Sequence, residues 1–463
     1  MYKNDMICAL ATPQGSGAIG IIRMSGEGVI DIADSLLSVS LKSAKSHTLK
    51  FGTLCNDKEA IDEVVAAVFR APNSYTGEDS VEIYCHASSY IERKIIMLLV
   101  AKGVRLAEPG EFSKRAFLNG KMDLAQTEAV ADLIASQTEA AHRVALQQMR
   151  GGFSNELKQM RRELLDLVSL MELELDFSEE DVEFADRDRL KELLDAVYSK
   201  IERLIDSFEL GNVIKNGVPV AIVGATNTGK STLLNNLIGE ERAIVSNIHG
   251  TTRDVIEDTV NFGGMTFRFI DTAGIRETNE TIEIIGIERT FSKLKQASVV
   301  ISVLDATRPD HFAGSLQSIA GRIDSKRQKL IIAVNKIDKA ADRKLLIGKV
   351  KSSLGSLSPI AIMGISAKKG DGIDELKKNI LESQQNITLD ADTVMVTNMR
   401  HYSALVSAEG ALDRVRNGLA LSSPTDLVSQ DLREALYHLG SILGEISTDE
   451  ILGNIFGKFC IGK

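Results

Sequence analysis

The chain has 463 residues, of which 44% are hydrophobic and 25% charged, with a formal net charge of -10. That length exceeds what one hydrophobic core supports and predicts roughly three domains. The acidic balance excludes a protein that is basic all over, so any nucleic-acid contact must come from a local patch. No stretch approaches the ~18 consecutive apolar residues of a membrane span, and the N-terminus lacks a basic segment leading into an apolar run. Cys8, Cys55, Cys85 and Cys460 form no CxxC pair and no metal spacing, so neither a disulfide framework nor a zinc site is expected. A cytoplasmic protein with no membrane partner is the expectation.

Residues 1–120 mix short alternating runs, "EVVAAVF" and "VEIYCHA", with the helical "YIERKIIMLLVAKG", which predicts an α+β unit. Residues 121–215 turn helical, with Leu157, Met160, Leu164, Leu167 and Met171 on one stripe and Leu190, Leu194, Val197, Ile201, Leu204 and Phe208 on another. "GNVIKNGVP" then breaks the helix. Across 216–383, "VPVAIVG", "TFRFIDTAG", "ASVVISVLD", "KLIIAVNK" and "PIAIMGISA" alternate with helical stretches, the pattern of βαβ units around a buried parallel sheet. Residues 384–463 are helical again. Neither helical block is complete alone, so a discontinuous α-helical domain with an inserted α/β domain is expected.

"GATNTGKS", Gly224–Ser231, fits GxxxxGK[ST] between a strand and a helix. Its backbone N–H groups (Asn227, Thr228, Gly229, Lys230, Ser231, Thr232) can cradle phosphates, Lys230 can reach the outer phosphates, and Ser231 can ligate magnesium. "DTAG" (Asp271, Thr272, Ala273, Gly274) places a carboxylate near the magnesium, through water, and an N–H that senses a γ-phosphate. "NKID" (Asn335, Lys336, Asp338) offers guanine a carboxylate for its N1–H and amine, a pair of donors adenine lacks. "SAK" (Ser366, Ala367, Lys368) resembles the loop behind the base in GTPases. Four elements in this order point to GTP. In "GTTRD", Thr252 resembles the switch residue that completes the magnesium shell in translation-factor-related GTPases. After "DTAG" stands Ile275, which cannot orient water as a glutamine does.

"GAIGIIRMSG" (17–26), "PNSYTGEDSVEI" (72–83), "PGEFSKRAFLNGKMDLAQTEAVADLI" (109–134), the nucleotide motifs and "FCIGK" (459–463) together resemble the MnmE (TrmE) family of tRNA modification GTPases from end to end. The resemblance implies an N-terminal tetrahydrofolate-binding domain, a helical domain made of two segments and an inserted Ras-like P-loop G domain. It implies a homodimer that pairs with the flavoprotein MnmG (GidA) in a heterotetramer. Together they add a carboxymethylaminomethyl group to C5 of the wobble uridine of certain tRNAs, using 5-formyl- or methylene-tetrahydrofolate, GTP, Mg2+ and K+. By matching position, Asn227, Ser246, Ile248 (through its carbonyl) and Thr251 resemble the potassium ligands, with Ser246 and Thr251 also beside the nucleotide. Glu283 resembles the water-orienting glutamate. Arg23, Glu82, Lys121 and Lys463 resemble the folate contacts, and Cys460 the tail cysteine, a candidate nucleophile. Thr226 replaces the usual proline of the phosphate loop, and "CHASSY" replaces a glycine-rich "GHGG". The alternative from another class is a regulatory GTPase switch in ribosome or RNA assembly.

Overall fold

A computed structural model describes residues 5–57, 59–176, 187–239, 258–270, 294–325, 327–384, 394–421, 423–446, 448–460 and 462. Packing divides the chain into two units, Met1–Ala131 with Gln148–Val197 and Ser407–Lys463, and Asp132–Gln147 with Tyr198–Val406. The fourfold division expected at 120, 215 and 383 is a proposal about folding domains, and these two units are groupings by packing.

In the first unit, β1 (Ile7–Leu10), β2 (Gly20–Ser25), β3 (Thr48–Asn56), β4 (Glu59–Phe69), β5 (Ser80–Cys85) and β6 (Arg105–Leu106) form one sheet in the order β3-β4-β5-β2-β1-β6. Every neighbouring pair is antiparallel except β1 with β6. Period-two alternation decides the faces. Ile22, Met24, Val64, Ala66, Val68, Val81 and Ile83 turn toward one core, shared with Ile30 and Ala33 of the helix Val29–Leu36 and Ile95 and Leu99 of the helix Ser89–Ala101. Ile95 and Leu99 are 0% exposed, and each contributes about 1.5–3 kcal/mol by leaving water. Arg23 and Glu82 stand on the opposite face. The expected strands and helix of this region are all present.

The long helix Gly152–Asp176 packs against Thr425–Leu443 in the same unit. Leu157, Met160, Leu164 and Leu167 on one, and Leu432, Leu436, Leu439 and Leu443 on the other, are buried. Gly444 ends the second helix at φ 82, a left-handed cap that favours glycine. A side chain there would also press on the Phe117 ring at 2.7 Å.

In the second unit, β7 (Val218–Val223), β8 (Asp258–Phe262), β9 (Met265–Ile270), β10 (Val299–Asp305), β11 (Lys329–Asn335) and β12 (Ala361–Gly364) form a sheet in the order β12-β11-β10-β7-β9-β8. It is parallel except for the β8–β9 hairpin. Val218, Val220 and Ile222 face a core with Leu233, Leu234 and Leu237, while Ala221 and Val223 face a second one with Phe312 and Leu316. Both faces are covered, which is why these strands read as unbroken apolar runs. β8, "DTVNF", lies at the sheet edge and carries three polar residues, so the sequence analysis did not find it.

Candidate functional site

Parallel sheets bind ligands beyond the carboxyl ends of their strands, and the nucleotide motifs gather there. β7 runs into the loop from Gly224, and the helix Lys230–Gly239 starts at its end. Gly229 has φ 96; a Cβ on it would collide with the Asn335 amide, and one on Gly224 with the Val303 carbonyl oxygen. The loop is therefore pressed against the ends of β10 and β11. Asn227, at φ 63, takes a left-handed conformation that asparagine tolerates better than most residues. Lys230 donates from Nζ to the carbonyls of Gly224 (2.8 Å) and Ala225 (2.9 Å). Burial pushes its ammonium below the ordinary value, a cost that an anionic phosphate would offset. Ser231 is half-buried and Thr232 exposed.

β11 ends in a strap. Asn335, 3% exposed, donates from Nδ2 to the Thr228 carbonyl (2.8 Å) and accepts at Oδ1 from the Ala367 N–H (2.9 Å). Its side-chain amide thus ties the phosphate loop to the segment after β12. Lys336, at φ 63, donates from Nζ to the Asn227 carbonyl (2.7 Å) and to Asp305 Oδ2 (2.6 Å). Asp338 Oδ1 accepts from the Ser366 hydroxyl (2.8 Å), with Lys369 Nζ 3.9 Å from its other oxygen. The Ser366 donor first, then the backbone N–H of Asp338 and the nearby lysines, holds the Asp338 carboxyl below its ordinary value against the effect of burial. Lys368 is exposed.

Two groups here were missed in the sequence. Asp305 ends β10 and accepts from the N–H (2.9 Å) and hydroxyl (2.7 Å) of Thr307 as well as from Lys336. Burial works against its carboxylate, but those donors outweigh it and keep the group below its ordinary value. The signal was an aspartate closing an apolar strand at the same edge as "NKID". Asn236, one turn and a half into the helix from Lys230, donates to the Ala367 carbonyl. Ser246, Ile248, Thr251, Thr252, Asp271, Thr272, Ala273, Gly274 and Glu283 lie outside the described residues.

On the first unit's sheet, Arg23 and Glu82 are direct cross-strand partners. Arg23 Nε donates to Glu82 Oε1 at 2.8 Å, and the guanidinium lies over the rings of Tyr75 (5.5 Å) and Phe112 (5.7 Å). Tyr84 donates to the second Glu82 oxygen (3.0 Å), and burial first, then this carboxylate, raises the phenol above its ordinary value. The chain's end reaches the same sheet. The Cys460 carbonyl accepts from the Gly110 N–H at 3.4 Å, and a side chain on Gly462 would strike the Leu10 carbonyl at the end of β1. Cys460 is exposed. Lys121 is also exposed, its Nζ 3.0 Å from the Pro72 carbonyl; Lys463 lies outside the described residues. In "CHASSY", His86 Nδ1 pairs with Asp62 Oδ1 at 2.7 Å.

Beneath this face is a charge cluster that sequence reasoning did not find. Arg115, 1% exposed, donates to Asp5 (2.7 Å), Glu111 (2.9 Å) and Glu78 (3.1 Å), and Arg105 bonds Asp5 (2.7 Å) and Glu111 (2.6 Å). Only the fold brings residues 5, 78, 105, 111 and 115 together. Among the described residues, no group of three or more metal-ligating side chains occurs, and no helix is long and apolar enough to cross a membrane.

A family profile described as "MnmE helical domain" matches residues 124–460, and one described as "GTP-binding protein TrmE N-terminus" matches residues 6–121. A "tRNA modification GTPase MnmE" of Bacteroides fragilis is 52% identical over 470 residues, covering 100% of both chains. One of Flavobacterium johnsoniae is 51% identical over 472 residues, again covering 100% of both. Among solved structures, Aquifex aeolicus Era bound to GDP and aluminium fluoride is 30% identical over 42% of this chain and 66% of its own, at a TM-score of 0.29, too low a likeness to bear weight. End-to-end identity above half, with both profiles tiling the chain, places this protein in the MnmE family of tRNA modification GTPases.

Proposed function

We propose that this chain hydrolyses GTP to drive modification of the wobble uridine of certain tRNAs. With a flavoprotein partner of the MnmG (GidA) type it adds a carboxymethylaminomethyl group to C5, taking the carbon from tetrahydrofolate. The single observation that carries the nucleotide half is the strap through Asn335, which joins the phosphate loop to the segment holding Ser366 and thus Asp338. The glycine-lined loop, whose glycines admit no Cβ, and the desolvated Lys230 fit a polyphosphate. Asp338 fits guanine because its ionised carboxyl can accept from two neighbouring donors, and a site built for that pattern rejects adenine.

Ser231, with Thr252 and, through water, Asp271, would hold magnesium. Asn227, Ser246, Ile248 and Thr251 would hold potassium. The cations supply positive charge where the terminal phosphate's charge develops, a role worth about 10³–10⁵ in rate when an arginine performs it. Lys230 binds the outer phosphates, and Glu283 orients the attacking water. Arg23 and Glu82 present one cation and one carboxylate side by side, half-buried beside the Tyr75 and Phe112 rings, a donor and acceptor set that suits folate's carboxylates and its amino-pterin ring. Lys121 and Lys463 add charge, and Cys460 is a candidate nucleophile on the tail. The chain acts as a homodimer. Glu283→Ala should abolish hydrolysis and spare nucleotide binding.

Nucleoside analysis of tRNA from a deletion strain tests the reading: loss of the modified wobble uridine is expected. Normal wobble uridines would favour the alternative, a switch in ribosome or RNA assembly.

A further inference from the structure

We infer that the end of the second unit's sheet opposite the nucleotide loops, where β11 begins, is a docking surface for the phosphate backbone of RNA. Between Arg322 and Lys351 the sequence carries ten basic and three acidic residues, a surplus of seven positive charges in a chain whose net charge is -10. The remainder of the protein therefore carries a net of about seventeen negative charges, so this stretch attracts RNA locally in a chain that as a whole does not.

The fold concentrates part of this surplus. Lys329 is the first residue of β11, and the other end of that strand, Asn335, belongs to the nucleotide loops. Arg327 lies two residues earlier. The helix Arg343–Ser352 runs back along the sheet, so that Lys349 and Lys351 fall in its last turn. The segment after it returns to the same end, where the Ile360 N–H donates to the Leu330 carbonyl at 2.8 Å. Val350, Leu357 and Leu330 share one core cluster. Arg327, Lys329, Lys349 and Lys351 are all exposed, and none has a salt-bridge partner among the described residues.

Lysines in a last turn also favour the helix's terminal carbonyls, which would explain Lys349 and Lys351 without any ligand. Arg327 and Lys329 come from a different segment and have no helix end to serve. Four solvated, unneutralised cations from two segments at one end match a run of phosphates spaced along a strand. A protein partner would be expected to bury several apolar side chains, and beside these four cations the large apolar side chain exposed is Ile360, at 47%. Because the phosphate loop follows the opposite ends of the strands, RNA here leaves the nucleotide site open.

This inference rests on the tRNA-modification reading, and the experiment separates the two. The full-length protein and a variant carrying Arg327→Gln, Lys329→Gln, Lys349→Gln and Lys351→Gln are titrated with unmodified tRNA at several salt concentrations, and basal GTP turnover is measured in parallel. The variant should bind at least about tenfold more weakly near 0.1 M salt, with a log–log salt slope shallower by about 3 to 4, while GTP turnover is unchanged. The variant Lys329→Arg, Lys349→Arg, Lys351→Arg should bind as the wild type does. Wild-type tRNA binding with an unchanged slope in the glutamine variant would overturn the surface and leave the function standing. No tRNA binding by the wild type would overturn both.

Discussion

Replacing Asn335 by alanine removes both ends of the strap between the phosphate loop and the Ser366–Ala367 segment. The Thr228 carbonyl loses its 2.8 Å donor and the Ala367 N–H its 2.9 Å acceptor. Thr228 and Ala367 are 5% and 1% exposed, so neither orphaned group is readily rehydrated. An unpaired buried polar group costs about 1–3 kcal/mol, which makes the pair worth about 2–6 kcal/mol. In the proposed site the nucleotide spans both loops, so this cost should be felt in binding. At about 1.4 kcal/mol per decade, Kd for GDP should rise between roughly 30-fold and 10⁴-fold. Asn335→Asp keeps an acceptor for Ala367 but sets a carboxylate against the Thr228 carbonyl, so its loss should be no smaller than that of one bond. Titration with a fluorescent GDP analogue gives Kd, and thermal unfolding without nucleotide gives the share that falls on stability. An affinity within threefold of wild type would refute the strap's role in binding, whether or not the melting temperature drops.

Asp338→Asn should move preference from GTP toward xanthosine triphosphate, whose ring offers the complementary acceptor; unchanged guanine selectivity in a competition assay would contradict the role of "NKID". Because Asp338's carboxyl lies below its ordinary 3.8, it stays ionised as pH falls from 7 to 5. Guanine affinity should be flat over that window, and a decline centred near pH 6 would point to another group. Arg115→Met should destabilise the first unit by about 3–5 kcal/mol in urea unfolding, because it removes a 1% exposed cation shared by Asp5, Glu78 and Glu111 and leaves Arg105 for Asp5 and Glu111; a loss under 1 kcal/mol would refute the cluster's importance. The hydrogen bond from Arg105 holds Asp5 low, and donors to Glu111 overcome the effect of its burial. Their stabilisation is therefore full above the ordinary values of 3.8 and 4.5 and is lost as pH falls through the lower folded values. Wild-type stability should drop below about pH 4, and less so in the Arg115 variant.

The second unit's sheet was legible because β7, β10 and β11 are buried on both faces, which writes an apolar run into the sequence for each. Hydrophobic pattern carries no comparable mark for an edge strand such as β8. The phosphate loop was legible because its backbone demands glycine, and "NKID" because its chemistry demands particular side chains at fixed spacing. Asp305 and Asn236 were not, since the bond that ties each to the site comes from a residue far away in sequence, Lys336 or Ala367. Arg23 and Glu82 read as ordinary surface charges until strand register set them opposite one another, and only the family resemblance singled them out. Arg115 is the clearest failure of pattern reading. In "EFSKRA" the spacing of Glu111 and Arg115 suggests one helical pair but gives no hint that Asp5 and Glu78 converge on the same arginine.

The central claim is that this chain cleaves GTP with help from a bound potassium ion. The direct measurement is phosphate release by the purified full-length protein with magnesium, from GTP and from ATP, in potassium and in sodium salts of equal ionic strength. The account predicts turnover of GTP but not ATP, and turnover in potassium at least tenfold faster than in sodium. Equal rates in the two salts, or ATP consumed as readily as GTP, would contradict it.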